Sequence, residues 1–311
     1  MRVGTRGSAL ALVQARHVAT LLGGERAGVE VVTVTTSGDR GALLGDKSRW
    51  VKELELALLA GEIDVAVHSA KDVPAELPDG LLLAGVPARV DGRDALCGAP
   101  SLAALRPGAV VGTSSLRRAA ELRALRPDLD VVALRGNVDT RLRKLAAGEA
   151  EAIVLAVAGL ERLGRADAID GLLDELVPAP GQGALALEVR ADDADAAAAA
   201  AALNDRDGAA TLAAERALVR TLGATCHTPL GAHAVRGEDG GLTLRSFVGL
   251  PDGSRWLRDE LTATAGIDPE TFGVAAGRRL LAAGARELLD AAEALGAGAP
   301  PPASTPEGVR L

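Results

Sequence analysis

The chain has 311 residues, 48% hydrophobic and 24% charged, with a formal net charge of −8, enough for two or three domains with their own cores. Aromatic residues make up 1% and tyrosine is absent, so nucleobases would find little to stack on, and an acidic chain is a poor general binder of nucleic acid. Two cysteines cannot build a disulfide framework, Met1-Arg2-Val3-Gly4 lacks the apolar core of a signal peptide, and no run reaches the roughly 18 apolar residues of a membrane span; the expectation is a soluble, cytoplasmic protein.

Strand-like and helical segments then alternate, the pattern of α/β domains. Ser8 stands at the N-cap of a first helix. Val29–Thr36, rich in β-branched residues, reads as a strand, Val51–Gly61 as a helix ending at Gly61, and Ile63–His68 as a short buried strand. A second unit follows: strand Ala109–Gly112, helix Leu116–Arg126, strand Val131–Leu134, helix Val138–Ala147 and strand Ala152–Leu155. Pro178-Ala179-Pro180-Gly181-Gln182-Gly183 breaks the pattern as a crossover. Strand Ala184–Val189 and an alanine-rich helix over Asp195–Leu203 come next. After about Arg206 the chain changes character, with a helix Ala209–Thr221, the Cys226 segment, two strands around Leu242–Val248 and Arg255–Leu261, and a helix Pro269–Leu289. Gly296–Leu311 reads as a flexible, disordered tail.

Three of these helices open with arginine where the macrodipole favours acid. The stretches are Thr5-Arg6-Gly7-Ser8-Ala9, Thr113-Ser114-Ser115-Leu116-Arg117-Arg118 and Arg135-Gly136-Asn137-Val138-Asp139-Thr140-Arg141, with Ser8, Ser115 and Asn137 as N-caps. A cation there costs a few tenths of a kcal/mol, up to roughly 1. The arrangement makes sense if an anion sits at each helix end, since exposed N–H groups and guanidinium forks together clamp carboxylate or phosphate. Solvated surface arginines that tolerate the penalty are the alternative. Residues 106–144 are locally basic inside an acidic protein, which favours a focused anion site.

Cys226 lies in Thr221-Leu222-Gly223-Ala224-Thr225-Cys226-His227-Thr228-Pro229-Leu230-Gly231, among small residues and breakers. It is either an exposed loop thiol or a buried small hydrophobe. Cys97 follows an apolar run and reads as core. Asp72, in His68-Ser69-Ala70-Lys71-Asp72-Val73-Pro74, directly follows a buried strand; it is a turn cap or a catalytic carboxylate, with Lys71 beside it to keep it ionised or to bind an anion. His68 reads as a satisfied core histidine. No cluster has metal-ligand spacing, and there is no Walker loop or dinucleotide fingerprint.

Taken together these segments resemble one family, the hydroxymethylbilane synthases, also called porphobilinogen deaminases. The carrying motifs are Thr5-Arg6-Gly7-Ser8, Val51-Lys52-Glu53-Leu54-Glu55, His68 to Pro74, Gly112-Thr113-Ser114-Ser115-Leu116-Arg117-Arg118, Leu134-Arg135-Gly136-Asn137 through Thr140-Arg141-Leu142, Ala156-Val157-Ala158-Gly159-Leu160, Pro180-Gly181-Gln182-Gly183-Ala184, and the Cys226 loop. The resemblance runs from Arg2 to about Leu289. It implies head-to-tail condensation of four porphobilinogen units with release of ammonia, on a covalently attached dipyrromethane cofactor that acts as primer, followed by hydrolytic release of the linear tetrapyrrole. Every pyrrole carries an acetate and a propionate, so fork-shaped arginines are suitable receptors.

By position, Cys226 matches the cysteine that holds the cofactor through a thioether, and Asp72 the catalytic aspartate. Lys71, Thr113, Ser114, Ser115, Arg117, Arg118 and Arg135 match cofactor-binding residues. Arg6, Ser8, Arg141, Gln182, Lys47 and Trp50 match substrate-binding positions. The implied fold is α/β, with two doubly wound lobes like type II solute-binding proteins, a cleft between them, and a smaller α+β C-terminal domain. Its domains would be 1–86 with 184–205, 90–180, and 206–295 carrying the cysteine, with 296–311 as tail. The implied state is a monomer without nucleic-acid or membrane partners.

The sequence departs from the family pattern at Gly38-Asp39-Arg40-Gly41-Ala42-Leu43-Leu44-Gly45-Asp46-Lys47-Ser48-Arg49-Trp50, a segment shorter by several residues in which Trp50 replaces a phenylalanine and Lys47 keeps a basic position. Two rival readings remain: a two-lobed anion-binding or sensor protein without catalysis, and a synthase that binds porphobilinogen without elongating it.

Overall fold

The structure is a computed structural model and describes residues 1–34, 48–225, 228–295 and 306–311. In chain order its elements are β1 (Arg2–Thr5), α1 (Ala9–Leu21), β2 (Glu30–Thr33), α2 (Ser48–Leu59), β3 (Val65–Ser69), β4 (Leu81–Gly85), β5 (Asp94–Cys97), β6 (Val110–Gly112), α3 (Leu116–Leu125), β7 (Asp130–Val132), α4 (Val138–Ala146), β8 (Ala152–Ala156), α5 (Val157–Arg162), β9 (Gly171–Leu173), β10 (Leu185–Arg190), α6 (Ala194–Ala201), α7 (Arg206–Leu222), β11 (Leu230–Arg236), β12 (Leu242–Gly249), β13 (Arg255–Ala263), α8 (Pro269–Ala282), α9 (Ala285–Leu295) and β14 (Glu307–Arg310). They divide into two compact units, residues 1–90 with 183–212 and residues 91–182 with 213–311. None of the described helices is long and apolar enough to cross a membrane.

The first unit holds a five-stranded sheet in the order β2-β1-β3-β10-β4. β1 runs parallel to β2 and β3, and β10 is antiparallel to both β3 and β4. β3 reads Val-Ala-Val-His-Ser and is buried on both faces up to His68, which calls for cover on each side. Val65 and Val67 pack with Val3 and with Ala15 and Val18 of α1. Ala66, facing the other way, packs with Leu54 and Leu58 of α2 and with Ile63. One helix on each face makes this a doubly wound sheet.

The second unit repeats the arrangement in the order β7-β6-β8-β5-β9. β6 is parallel to β7 and β8, and β5 is antiparallel to β8 and β9. Leu122 of α3 covers one face with Leu96, Val111, Val131 and Val154. Leu142 of α4 and Leu160 of α5 cover the other with Ala95, Cys97, Ile153 and Leu155. The same unit carries a four-stranded sheet, β11-β12-β13-β14, whose apolar face is buried against α7, α8 and α9 through Leu218, Leu244, Phe272, Leu280 and Leu288. This α+β sheet completes the fold class read from the sequence.

Several boundaries differ from the sequence reading. The single helix expected over Pro269–Leu289 is two, α8 and α9, because Gly284 takes φ +98° between them and turns the chain. The short or edge strands β4, β5, β9 and β11 carry too little periodicity to read. The flexible tail expected over 296–311 is corrected at its end: Glu307–Arg310 forms β14, parallel to β13, with Arg255 opposite Glu307 and Arg258 opposite Arg310. The reason is backbone pairing, since Glu307 N–H donates to Ser254 O at 2.7 Å and Leu311 N–H to Arg258 O at 2.9 Å. Gly308 lets this strand lie on the Trp256 indole, where a Cβ would come within 1.9 Å of the ring.

The close crossing of α8 on α7 depends on glycine in the same way. A Cβ on Gly273 would stand 2.0 Å from Ala214 O and 2.8 Å from Ala217 Cβ. Gly273→Ala is therefore expected to destabilise the protein by about 1–3 kcal/mol through overpacking, against the usual helix-propensity gain. A urea-unfolding series measures it, and an unchanged or raised midpoint would contradict this packing.

Candidate functional site

In the first unit two sequence-predicted loops leave the ends of adjacent parallel strands, the place where open α/β sheets bind ligands. Beyond β1, Arg6 is half-buried and Ser8 caps α1, its Oγ accepting from Ala11 N–H at 3.3 Å. The Thr5 hydroxyl donates to Ala11 O at 3.0 Å, which ties the strand end to the helix start. No acidic residue lies in the first turn of α1.

Beyond β3 the chain makes one 3-10 turn, Ala70–Asp72. Lys71 and Asp72 are half-buried on it. Ala70 N–H donates to Ala184 O at 3.0 Å, and Val73 N–H closes the turn on Ala70 O at 3.3 Å, so the two side chains stand on a fixed base. Behind them His68 is buried with its Nε2 2.9 Å from Glu188 Oε2, a satisfied core histidine. Glu55 of α2 faces this pair; burial and then the Glu188 charge raise its pKa.

In the second unit the loops after β6 and β7 come together. Ser115 caps α3, its Oγ accepting from Arg118 N–H at 3.4 Å. Buried Thr113 fixes that cap, its Oγ1 accepting from Ser115 N–H at 3.2 Å. Asn137 caps α4 through Thr140 N–H at 2.9 Å. Arg141 joins the loops: its Nε donates to Gly136 O at 2.8 Å and its Nη2 to Ser114 Oγ at 2.8 Å. Burial, and then the charge of Arg118, bring its pKa down to about 10. The guanidinium stays charged, in a place where a further anion would relieve it. Ser114 and Arg135 are exposed. Asp139, in the first turn of α4, pairs with Arg165 at 3.2 Å.

Arg117 and Arg118 stand differently from open clamps. They are 3% and 5% exposed and hold carboxylates of this chain. Arg117 Nη1 lies 2.8 Å from Asp94 Oδ2 and 2.9 Å from Glu121 Oε2, and donates to Val177 O at 2.7 Å. Arg118 donates to Asp94 Oδ1 through Nε and Nη2, at 3.0 and 2.7 Å, and to Val154 O at 2.9 Å. Gln182 is also interior, and its Nε2 donates to Asp94 Oδ1 and Gly92 O, each at 2.8 Å. Burial alone would raise Asp94, but the Arg117 and Arg118 charges hold it well below the carboxylate range.

Cys226 and Lys47 lie outside the described residues, as does the Trp50 side chain; the Trp50 backbone is in α2. Sequence reasoning missed Asp94, the partner of both arginines, because 23 residues separate it from Arg117. It also missed Arg162, at the end of the α5 that leaves β8 directly; burial brings its pKa down to about 10 despite Glu161. The available signal was its position after a buried strand.

Each unit thus places a capped helix start at its strand ends, the first with one carboxylate on a braced turn and the second with hydroxyls and confined guanidiniums: an anion-handling α/β protein. Residues 1–198 match the family model for the porphobilinogen deaminase dipyrromethane cofactor binding domain, and residues 209–282 that for the porphobilinogen deaminase C-terminal domain. The porphobilinogen deaminase of Thiobacillus denitrificans is 49% identical over 302 residues, covering 94% of this chain and 98% of that one. That of Thermus thermophilus is 50% identical over 293 residues, covering 92% and 97%. The structure is also similar to the periplasmic VFT2 domain of Bordetella pertussis BvgS, at 21% identity and a TM-score of 0.40, over 65% of this chain and 86% of that one.

The chain belongs to the porphobilinogen deaminase, or hydroxymethylbilane synthase, family. It is a transferase of tetrapyrrole biosynthesis that condenses four porphobilinogen units head to tail, with loss of ammonia, on a dipyrromethane cofactor, and releases hydroxymethylbilane.

The two thiols give a simple check. Cys97 is 1% exposed, and burial and then Asp170 push its thiol up to about 11, so it stays protonated and shielded near neutral pH. If, as the family resemblance implies, the cofactor is held at Cys226 through a thioether, Cys97 is the one thiol left among the two cysteines of the sequence. Loaded protein is therefore expected to consume no thiol reagent when native and one equivalent when denatured. Two equivalents from denatured, fully loaded protein would contradict the thioether.

Proposed function

We propose that Asp72 is the catalytic carboxylate and that Cys226 carries the cofactor through a thioether. The observation that carries the reading is the Arg141–Ser114 pair at the capped helix starts of the second unit, and the first unit separately offers a half-buried carboxylate on a braced turn. Ser114, Ser115, Thr113, Arg135 and Lys71 hold cofactor carboxylates. Arg6, Ser8, Arg141, Lys47 and Trp50 serve the incoming unit. Arg118 contributes through its charge and through the α3 start that it braces, while Arg117 and Gln182 act from the interior, as their internal partners indicate.

This donor set fits a polycarboxylate. The Arg141–Ser114 pair offers a guanidinium and a hydroxyl, and burial has already removed part of the cation's hydration. When bound, the dipyrromethane supplies the pyrrole carbon to which the first unit is joined. The chain's residues do the rest. The arginines and caps orient the acetate and propionate groups, and their charges neutralise a chain that grows more anionic with each unit. Asp72 stabilises the positive charge that porphobilinogen develops as ammonia leaves, and takes and returns protons at the pyrrole nitrogen and leaving amine.

The same reading takes the protein as a cytoplasmic monomer without nucleic-acid or membrane partners. Its domains are 1–86 with 184–205, 90–180, and 206–295. The first experiment is the intact mass of purified, denatured protein. A covalent excess of one dipyrromethane, lost in Cys226→Ser, is expected. A bare chain after incubation with porphobilinogen would overturn the reading in favour of an anion-binding module. Asp72→Asn keeps size and loses charge, so it is expected to retain the cofactor mass while turnover falls by about 10²–10³-fold. Near-normal turnover would remove Asp72 from the role.

A further inference from the structure

Behind the α3 start lies an ion cluster that the reaction does not use directly. Asp94 binds Arg117 and Arg118. Glu121, fully buried, faces Arg117 at 2.9 Å, accepts from Val177 N–H at 2.7 Å, and lies 3.4 Å from Arg258 Nη2 of β13. Arg258 stands over the Phe247 and Trp256 rings, 5.5 and 5.9 Å from their centroids, on the strand that β14 closes. Three guanidiniums and two carboxylates therefore share a site nearly closed to water, leaving one net positive charge when all are ionised. With so little solvent this surplus is weakly screened. It lies beside the anion site: Arg118 N–H donates to Ser115 Oγ, and the adjacent Ser114 Oγ accepts from Arg141 Nη2; after burial, the Arg118 charge is the second cause that lowers Arg141.

We propose that Glu121 and Arg258 set the anion affinity of the second unit by fixing the surplus positive charge of this cluster. The proposal rests on the reading that Arg141 and Ser114 receive substrate or cofactor carboxylates. Glu121 and Arg258 touch neither; they are positioning residues that act through Arg117 and Arg118. Glu121 faces Arg117 from its own helix, Asp94 from β5 and Arg258 from β13, and Arg258 in turn faces Arg245, Arg310 and Glu175. Burial pushes the Glu121 carboxyl up to about 7 against the pull of Arg117, the Val177 N–H and Arg258, so the surplus rises as pH falls through neutrality.

The sign of the effect separates this from a packing role. Above neutral pH, where Glu121 is ionised, Glu121→Gln keeps shape and the acceptor for Val177 while adding one net positive charge. Arg258→Gln removes one, and the double variant restores the original balance. In loaded, full-length protein, KM for porphobilinogen is expected to fall about threefold in Glu121→Gln and rise about threefold in Arg258→Gln, at ordinary effective dielectric. The double variant should return toward the parent value. The parent's KM should fall as pH drops through about 7, and this slope should be absent in Glu121→Gln.

Both single variants raising KM, with the double variant worse, would overturn the proposal and leave a structural cluster. Arg141→Leu is the control for the underlying reading. If it changes neither KM nor the cofactor mass, the placement of carboxylates at Arg141 fails. If it changes them while the Glu121 and Arg258 variants do not, only the charge-setting proposal fails.

Discussion

Asp94 is the point on which the second unit turns. It opens β5, the antiparallel strand between β8 and β9, and it is 1% exposed. An isolated carboxylate in that position would cost several kcal/mol. Both consecutive arginines of α3 and the Gln182 amide of the crossover converge on it. A buried ion pair is weak evidence for added stability, since an apolar trio of the same volume could serve as well. What the ionic version supplies is placement. The first turn of α3, with its Ser115 cap and the exposed Ser114 beside it, is held by partners on β5, on β8 through Val154 O and before the crossover through Val177 O.

Two sheets of one topology use their strand ends for different electrostatic tasks. In the first unit the loop after β3 offers a carboxylate next to a lysine, on a turn tied to Ala184 O. In the second, cations follow β7 and β8: Arg135 in the loop after β7, Arg141 in the α4 that this loop opens, and Arg162 at the end of α5. The positive ends of α3 and α4 add to this field. The proposed site roles use both, because the reacting centre becomes cationic while the product it joins is a polyanion.

Local physics was legible in the sequence and distant partnership was not. The caps at Ser8, Ser115 and Asn137 could be read because a cap and the N–H that donates to it lie three residues apart. The core roles of His68 and Cys97 followed from apolar strands, and both are buried. The interior setting of Arg117 and Arg118 could not be read. Their carboxylate comes from another strand, and an arginine beside a helix N-cap looks the same whether it faces solvent or Asp94. Gly284 was passed over because a glycine flanked by alanines fits a helical pattern; only its φ of +98° separates α8 from α9. β14 was hidden by the composition of the stretch before it, while the decisive feature, Gly308 against Trp256, is a contact between residues 52 apart.

The arginine-led helix starts resolve into one principle. A cation at a helix N-terminus is unfavourable, and the chain meets this cost in two ways. At Arg117 and Arg118 it supplies internal carboxylates, so these charges are settled on folding and hold the scaffold. At Arg141 the described residues supply neutral acceptors, Gly136 O and Ser114 Oγ, and leave the guanidinium pushed down by burial and by Arg118. That residue keeps an unmet electrostatic demand. A carboxylate arriving there gains the full benefit of the ion pair with little reorganisation, because Ser114 and the α3 cap are already fixed. In the function proposed above, division of labour between internally paired arginines and Arg141 is what turns a costly sequence pattern into a preorganised anion receptor.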